Sequence, residues 1–198
     1  SANTRNVADG SAAFPEYLVK KLGGVRVGVL GLTTPNIPGW EPVANRPGLT
    51  WEDPVEMAKR LVPVLRGREK CDVVVVLIHS GLEVDPSTGK ADGTEYENHV
   101  VRVAKDVPGI DLLLTGHSHR RLPLTRVHGV PVTQPGRWGE VLARVDLVVE
   151  RSKGKAKVVE AKGELLPSDA SVATDPGIAA IARPHHERLR GAERKGVP

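Results

Sequence analysis

Short runs of β-branched and aliphatic residues recur along the first 115 residues of the chain and predict strands. The first run covers residues 25–31, follows a Gly-Gly turn and ends in a glycine. The runs at 72–78 and 111–115 are apolar almost throughout. Such runs are typical of central strands that are covered on both faces of a sheet. The pattern therefore predicts three buried strands.

Two predicted helices separate these strands. Asp53 followed by Pro54 is typical of a helix start, with the aspartate as N-cap and the proline in the first turn. Four apolar residues then recur at helical spacing: Ala58, Leu61, Val62 and Leu65. Pro63 predicts a kink or an early end, because proline lacks the N–H of the helix ladder. A second helix is predicted over residues 94–106. The alternating order predicts parallel strands joined by right-handed crossovers.

The pattern changes in the remainder of the chain. Three further strands are predicted, joined by tight turns, over 129–134, 140–150 and 156–164. The last two form an antiparallel hairpin through residues 151–155. A basic, weakly amphipathic helix is predicted to begin at Asp175-Pro176, with Pro184 interrupting it. The predicted fold class is therefore α/β, with parallel strands followed by an antiparallel hairpin.

Length and composition exclude several classes of protein. A chain of 198 residues suits one well-buried domain, or a domain with a short tail. No apolar run approaches the roughly 18 residues that a membrane span needs, and the first ten residues lack the features of a signal peptide. The single cysteine excludes an internal disulfide framework and a four-cysteine zinc site.

The net charge of +4 lies in one part of the chain. Residues 1–150 carry 18 basic and 18 acidic residues, whereas 151–198 carry 10 basic and 6 acidic ones. A basic tail on a neutral domain is more typical of a solvated face than of a nucleic-acid footprint. Only three tryptophans, two tyrosines and one phenylalanine are present, which argues against a surface that stacks single-stranded nucleic acid. No nucleic-acid polymer is therefore expected as a partner.

Histidines follow two of the predicted strands. His79 comes directly after residues 72–78, and His117 and His119 follow residues 111–115. The carboxyl ends of parallel strands meet at one edge of the sheet, which is where ligands of open α/β sheets bind. In an extended loop, residues two apart point to the same side, so His117 and His119 can face one ion or two adjacent ions. Because neutral imidazole is a common metal ligand, the sequence predicts a metal site.

The remaining histidines favour structural interpretations. His99 is predicted to be solvated in a helix, and His128 lies in a predicted turn. His185 and His186 are consecutive, so on a helix they diverge by about 100° and do not easily share one ion. A loop from 33 to about 50 contains four prolines and Trp40. Loops of this length are usually functional or disordered.

Three motifs carry a family resemblance: I-H-S-G, D-L-L-L-T-G-H-S-H-R and P-G-R-W-G-E. In this order they resemble the C-terminal part of the catalytic domain of calcineurin-like metallophosphoesterases. The likeness covers about residues 2–150 and is greatest to the bacterial 5′-nucleotidase and 2′,3′-cyclic-nucleotide 2′-phosphodiesterase family. The segments V-R-V-G-V-L-G-L, T-T-P-N-I-P-G-W and L-T-W-E-D-P-V-E resemble the cyclic phosphodiesterase branch in particular.

The resemblance implies part of a four-layer αββα domain. Residues 1–166 correspond to the C-terminal portion of the catalytic domain. Residues 167–198 correspond to a linker and the start of a helix leading to a C-terminal nucleotide-binding domain that this chain does not contain. The location implied is periplasmic, extracellular or at the cell surface.

The resemblance also implies hydrolysis of 5′-nucleotides, 2′,3′-cyclic nucleotides or both, by a metal-activated water at a two-metal centre. His79 and His117 resemble ligands of one divalent ion, and His119 resembles a ligand of its neighbour. Zinc, manganese and iron all suit such ligands. Arg137 and Trp138 fall in a loop that resembles one lining the substrate side, although a turn packed by a tryptophan explains them equally well.

Three other family motifs, Asp-x-His, Gly-Asp and Gly-Asn-His-Asp/Glu, do not occur in the 198 residues. The bridging aspartate, the asparagine ligand and the catalytic His-Asp pair are therefore expected upstream of Ser1, and this chain supplies only the histidine half of the site. Three neutral histidines without a carboxylate leave a divalent ion without charge compensation. We expect the isolated chain to be weakly active or inactive, and to expose a sheet edge that favours association.

Two other interpretations remain open. One is a non-catalytic binding remnant of the same fold, and the other is a mononuclear zinc hydrolase with three histidine ligands, which needs no further segment. The presence of the three motifs in an upstream reading frame would favour the dinuclear enzyme over the remnant.

Overall fold

A computed structural model describes residues 1–91, 93–152 and 154–193. The chain divides into two units, Ser1–Leu166 and Pro167–Pro198. The interpretation of these units as part of a catalytic domain and a linker stays a prediction.

The described residues of the first unit form ten strands, the last of which ends one residue past the unit boundary. They are β1 Thr4–Asn6, β2 Tyr17–Leu22, β3 Val25–Thr33, β4 Leu49–Trp51, β5 Val73–His79, β6 Leu112–Thr115, β7 Arg121–Val127, β8 Val130–Pro135, β9 Val141–Ser152 and β10 Lys155–Pro167. Its helices are α1 Ile37–Trp40, α2 Pro54–Gly67 and α3 Val100–Asp106, with a short 3₁₀ turn at Val43–Asn45.

Six of the strands form one sheet in the order β2-β3-β5-β6-β8-β7. The four central strands are parallel to one another, and the edge strands β2 and β7 pair antiparallel with β3 and β8. The predicted α/β fold with parallel strands is confirmed. Strand β8 extends the parallel sheet, while β9 and β10 pair with each other separately. The predicted turn between β9 and β10 includes Lys153, which lies outside the described residues.

The core lies on one face of this sheet. Leu30, Val76 and Leu113 have no exposed surface and pack with the apolar residues of α2 and α3. On the opposite face of β5, Leu77 is 43% exposed. The expectation that this strand is covered on both faces is therefore wrong for the described residues, because its side chains alternate between a buried and an open side.

Helix α2 begins as predicted. The carboxylate of Asp53 accepts hydrogen bonds from the backbone N–H of Val55 at 2.7 Å and of Glu56 at 3.2 Å, which satisfies two free donors of the first turn. The helix continues past Pro63 to Gly67, so the predicted early end is wrong. Pro63 faces solvent, and the buried side chain of Leu65 holds the last turn on the core.

Helix α3 is shorter than predicted, because it begins at Val100 rather than at residue 94. Its first turn is capped from another loop. The buried carboxylate of Glu83 accepts hydrogen bonds from the backbone N–H of Val101 at 2.7 Å and of Arg102 at 3.2 Å. Residues 94–99 form a turn and an irregular segment instead.

The second unit contains helix α4, Pro176–Glu193, which begins at the predicted place. Asp175 precedes it, and its carboxylate accepts a hydrogen bond from the backbone N–H of Ile178 at 2.9 Å. The helix passes through Pro184 without ending. No helix in the described part of the chain is long and apolar enough to span a membrane.

Candidate metal centre

Two of the predicted ligands meet at the carboxyl edge of the sheet. His79 is the last residue of β5, and His117 follows the adjacent parallel strand β6, whose last residue pairs with Ile78. The centroids of the two imidazole rings lie 5.2 Å apart, with an edge-on angle of 65°. The structure therefore brings His79 and His117 together, as parallel pairing of their strands predicts.

His79 is held towards its neutral form. Partial loss of hydration lowers the pKa of its imidazole, and the positive charges that His117 and His119 carry when protonated lower it further. A neutral imidazole keeps a free lone pair, which is the form that binds a cation. His117 and His119 thus both lie near enough to His79 to influence its charge.

His117 and His119 are not in an extended loop, which corrects the geometric reason given for their pairing. Their φ angles are +73° and +56°, in the left-handed region that non-glycine residues seldom adopt. The backbone N–H of Ser118 bonds to the carbonyl of Gly116 at 2.9 Å, and its hydroxyl donates to Oε1 of Gln134 at 2.9 Å. These bonds tighten the loop into a turn. Strained conformations of this kind cost about 1–3 kcal/mol each and persist where the surroundings enforce them.

Two further side chains lie against His117 that sequence reasoning missed. Oε2 of Glu97 is 3.5 Å from Nε2 of His117, so a carboxylate does accompany the histidines, contrary to expectation. The indole of Trp40 lies 5.0 Å from the imidazole of His117, centroid to centroid. The proline-rich loop around Trp40 was a signal of a functional segment, whereas nothing in the sequence pattern marks Glu97.

The residues present fit part of a coordination sphere. Adjacent imidazoles at a sheet edge are chemically suited to a divalent transition-metal ion. Within the described ranges, however, no group of three or more histidine, cysteine, aspartate or glutamate side chains is arranged to hold an ion.

A cavity of about 540 Å³ adjoins His79 on the open face of the sheet. Its lining is mostly apolar and includes Leu32, Leu77, Leu114 and Val141. Such a lining does not offer the charged groups that a phosphate needs. The cavity therefore extends the open apolar face, and His79 is the member of the histidine cluster that lines it.

The predicted substrate residues lie on the loop after β8. The guanidinium of Arg137 stacks on the indole of Trp138 at 3.9 Å, and this indole is 78% exposed. Trp138 has a φ angle of +55°, within a turn closed by the bond from the N–H of Glu140 to the carbonyl of Arg137 at 3.1 Å. The tryptophan thus packs on its neighbour and presents an aromatic face to solvent.

His99 corrects another prediction. It lies just before α3 rather than within it, and it is 3% exposed rather than solvated. Burial lowers the pKa of its imidazole, and the positive charge of Arg102 adds to the effect. His128 lies exposed in the turn between β7 and β8, as predicted.

No protein-family model matches the chain. Among curated proteins, the chain is 29% identical to the 2′,3′-cyclic-nucleotide 2′-phosphodiesterase/3′-nucleotidase of Salmonella typhimurium, over 96% of this chain and 33% of that protein. It is 30% identical to the protein of the same name from Yersinia enterocolitica, over 84% of this chain and 28% of that protein. The chain spans about a third of the length of these relatives.

A solved structure is similar over nearly the whole chain. The calcineurin-like phosphoesterase YfkN from Bacillus subtilis matches with a TM-score of 0.79 and 25% sequence identity. The match covers 94% of this chain and 61% of that one. The similar sequences and the similar structure therefore both belong to phosphoesterases, and both agree with the family resemblance carried by the motifs.

Proposed function

We propose that this chain, which has the fold of the calcineurin-like phosphoesterases and sequence similarity to their nucleotidase and cyclic-nucleotide phosphodiesterase branch, supplies part of the active site of a metal-dependent nucleotide phosphoesterase. The observation that carries the proposal is the approach of His79 and His117 to 5.2 Å, at the ends of adjacent parallel strands. Relatives named as nucleotidases and cyclic phosphodiesterases support the choice of nucleotide phosphate esters.

In this proposal His79 and His117 hold one divalent ion and His119 contributes to a neighbouring ion. When bound, such ions lower the pKa of a coordinated water and offset the charge of the phosphate. The lowered pKa of His79 keeps its lone pair available near neutral pH. The left-handed turn sets the backbone from which the side chains of His117 and His119 project. The missing ligands come from residues outside this chain, in keeping with the incomplete donor group found here.

Arg137 and Trp138 are proposed to lie on the substrate side. The stacked pair offers a cation that attracts a phosphate and an aromatic face that accepts a planar base. Both 5′-nucleotides and 2′,3′-cyclic nucleotides meet this description. A location that is periplasmic, extracellular or at the cell surface is part of the same proposal.

The test uses the product of the complete reading frame. After treatment with a chelator, the protein is assayed with Mn²⁺ or Zn²⁺ on 2′,3′-cyclic AMP, 5′-AMP and bis-(p-nitrophenyl) phosphate. We expect hydrolysis that requires the added ion and is lost in His117→Ala. His128→Gln, a change in an exposed turn, serves as the control and is expected to keep wild-type activity. Hydrolysis that survives both chelation and His117→Ala would contradict the proposal.

The same assay separates the alternatives. A non-catalytic remnant of the fold would bind the ion without hydrolysing any of the three esters. A mononuclear enzyme with three histidine ligands would show full activity in the 198-residue chain with one bound zinc. The absence of a suitable three-residue donor group in the described part of the chain argues against this second alternative.

A further inference from the structure

Glu97 lies beside His117 in a protected position. Its Oε2 is 3.5 Å from Nε2 of His117, and the two side chains are 16% and 19% exposed. At this depth the carboxylate and the imidazole have few competing waters. An interaction between them is therefore worth more than the same contact would be on the surface.

The main chain at Glu97 is anchored to the end of β5. The hydroxyl of Ser80 donates to the carbonyl of Glu97 at 2.9 Å and accepts from the backbone N–H of His99 at 3.0 Å. Ser80 is fully buried and directly follows His79. Ser80, which directly follows the candidate ligand His79, thus holds the segment that contains Glu97. The carboxylate of Glu97 in turn contacts the other candidate ligand, His117.

A second set of bonds holds the same segment. Oδ1 of Asn98 accepts from the backbone N–H of Gly81 at 2.6 Å, and its Nδ2 donates to Oγ1 of Thr94 at 2.5 Å. The N–H of Val100 bonds to the carbonyl of Gly81 at 3.2 Å. These bonds join the loop after β5 to residues that follow Glu97, and they join Thr94, which precedes Glu97, to Asn98. The backbone at Glu97 is therefore held independently of the contact with His117.

We infer that Glu97 is a positioning residue: its carboxylate accepts a hydrogen bond from Nε2–H of His117, which keeps the proton on Nε2 and leaves the lone pair of Nδ1 to bind the cation. A histidine ligand commonly donates its other ring N–H to a carboxylate, which fixes the tautomer and the ring direction. The inference rests on the proposed metal-binding role of His117. It adds a residue to the site that no sequence motif marked.

The experiment measures the tautomer of His117 in the metal-free chain. Long-range ¹H–¹⁵N spectra of ¹⁵N-histidine-labelled protein distinguish a proton on Nε2 from one on Nδ1, with His117→Gln used to assign the signals. In the wild type we expect the neutral ring to carry its proton on Nε2. In Glu97→Ala we expect ¹⁵N shifts averaged between the two tautomers. Glu95→Ala removes an exposed carboxylate two residues away and is expected to give the wild-type spectrum.

A titration with Mn²⁺ completes the test. Loss of such an outer carboxylate lowers metal affinity about 10- to 100-fold in known sites. We expect a loss of this size in Glu97→Ala and not in the control Glu95→Ala. If Glu97→Ala does not fold, Glu97→Met keeps the length of the side chain without its oxygens and is expected to give the same result. A wild-type ring protonated on Nδ1, or a tautomer unchanged in either Glu97 variant, overturns the inference. Because the spectra need neither metal nor substrate, such a failure leaves the proposed hydrolysis to its own assay.

Discussion

Gly81 and Ser118 lie in direct contact where the loops that follow β5 and β6 meet. A methyl group at Gly81 would come within 2.8 Å of both Cβ and Oγ of Ser118 and within 2.6 Å of Oδ1 of Asn98. Only a residue without a side chain allows this approach. This close contact lies two residues after His79 and one residue after His117, at the edge of the sheet where parallel pairing of β5 and β6 places both histidines.

Gly81→Ala is therefore expected to push the two loops apart. Overpacking of this kind costs about 1–3 kcal/mol, and the displaced turn should shift the imidazole signals of His117. Denaturation in urea and the histidine NMR spectrum measure the two effects. Gly67→Ala is the control, because a methyl group there meets nothing within 4 Å at the end of α2. A Gly81→Ala protein as stable as Gly67→Ala, with unmoved His117 signals, would show that the loops do not depend on this contact.

Because the core lies on one face of the sheet, substitutions of two leucines on opposite faces can be compared. Leu113 is fully buried on the helix side of the sheet, whereas Leu77 is 43% exposed on the open face. Leu113→Ala should lower the free energy of unfolding by about 2–5 kcal/mol, and Leu77→Ala by less than about 1 kcal/mol. Urea denaturation of both variants at equal protein concentration makes the comparison. Equal losses would mean that the open face is covered in solution.

The cap of α2 gives a third prediction. Asp53 accepts two backbone hydrogen bonds of the first turn, so Asp53→Ala should lower the free energy of unfolding by about 0.5–2 kcal/mol. Asp53→Asn keeps an oxygen in the same place and should retain most of the stability. If the alanine and asparagine variants lose stability equally, the carboxylate acts through its charge on the helix rather than through the two bonds.

The buried imidazole of His99 is expected to make the free energy of unfolding depend on pH. Burial holds the pKa of its imidazole below the ordinary value, so in acid the unfolded chain takes up a proton that the folded chain resists. The unfolded state then binds more protons, and the free energy of unfolding falls as the pH drops below about 6.5. At higher pH His99 is neutral in both states and contributes no slope.

The measurement compares urea denaturation at about pH 7.5 and pH 5.5, on either side of the ordinary histidine pKa. His99→Gln should lose less stability between the two than the wild type does. Part of the slope should remain, because the pKa of His79 is also lowered. His128→Gln should lose as much stability between the two pH values as the wild type does. If it loses as little as His99→Gln, then His99 is not the cause of the pH dependence.

The parallel strands could be predicted because their residues are buried and the hydrophobic pattern reports burial. The edge strands β2 and β7 could not, since most side chains of β2 are exposed, β7 buries only one residue fully, and β7 contains Pro123. The start of α3 depends on Glu83, which caps it from a loop 17 or more residues earlier in the chain. The local sequence around α3 does not indicate such a contact.

The candidate site likewise has some features that could be predicted from the sequence and others that could not. His79 and His117 were predictable because each follows a strand whose direction the pattern indicates. The left-handed turn at His117 and His119 was not, because it is imposed by the hydrogen bond between Ser118 and Gln134 across the sheet. The contact of Glu97 with His117 depends on bonds between two loops, and a single sequence does not mark such bonds.

The most direct test of the central claim is the effect of Mn²⁺ on the histidine NMR signals of this chain. Paramagnetic broadening reports a bound ion even where an incomplete ligand set makes affinity weak. We expect the imidazole signals of His79 and His117 to broaden first, followed by that of His119, while those of His128 and His185 stay sharp at the same Mn²⁺ concentration. Broadening that begins at His185 and His186, or that reaches all seven histidines together, would contradict a shared metal site at the ends of β5 and β6.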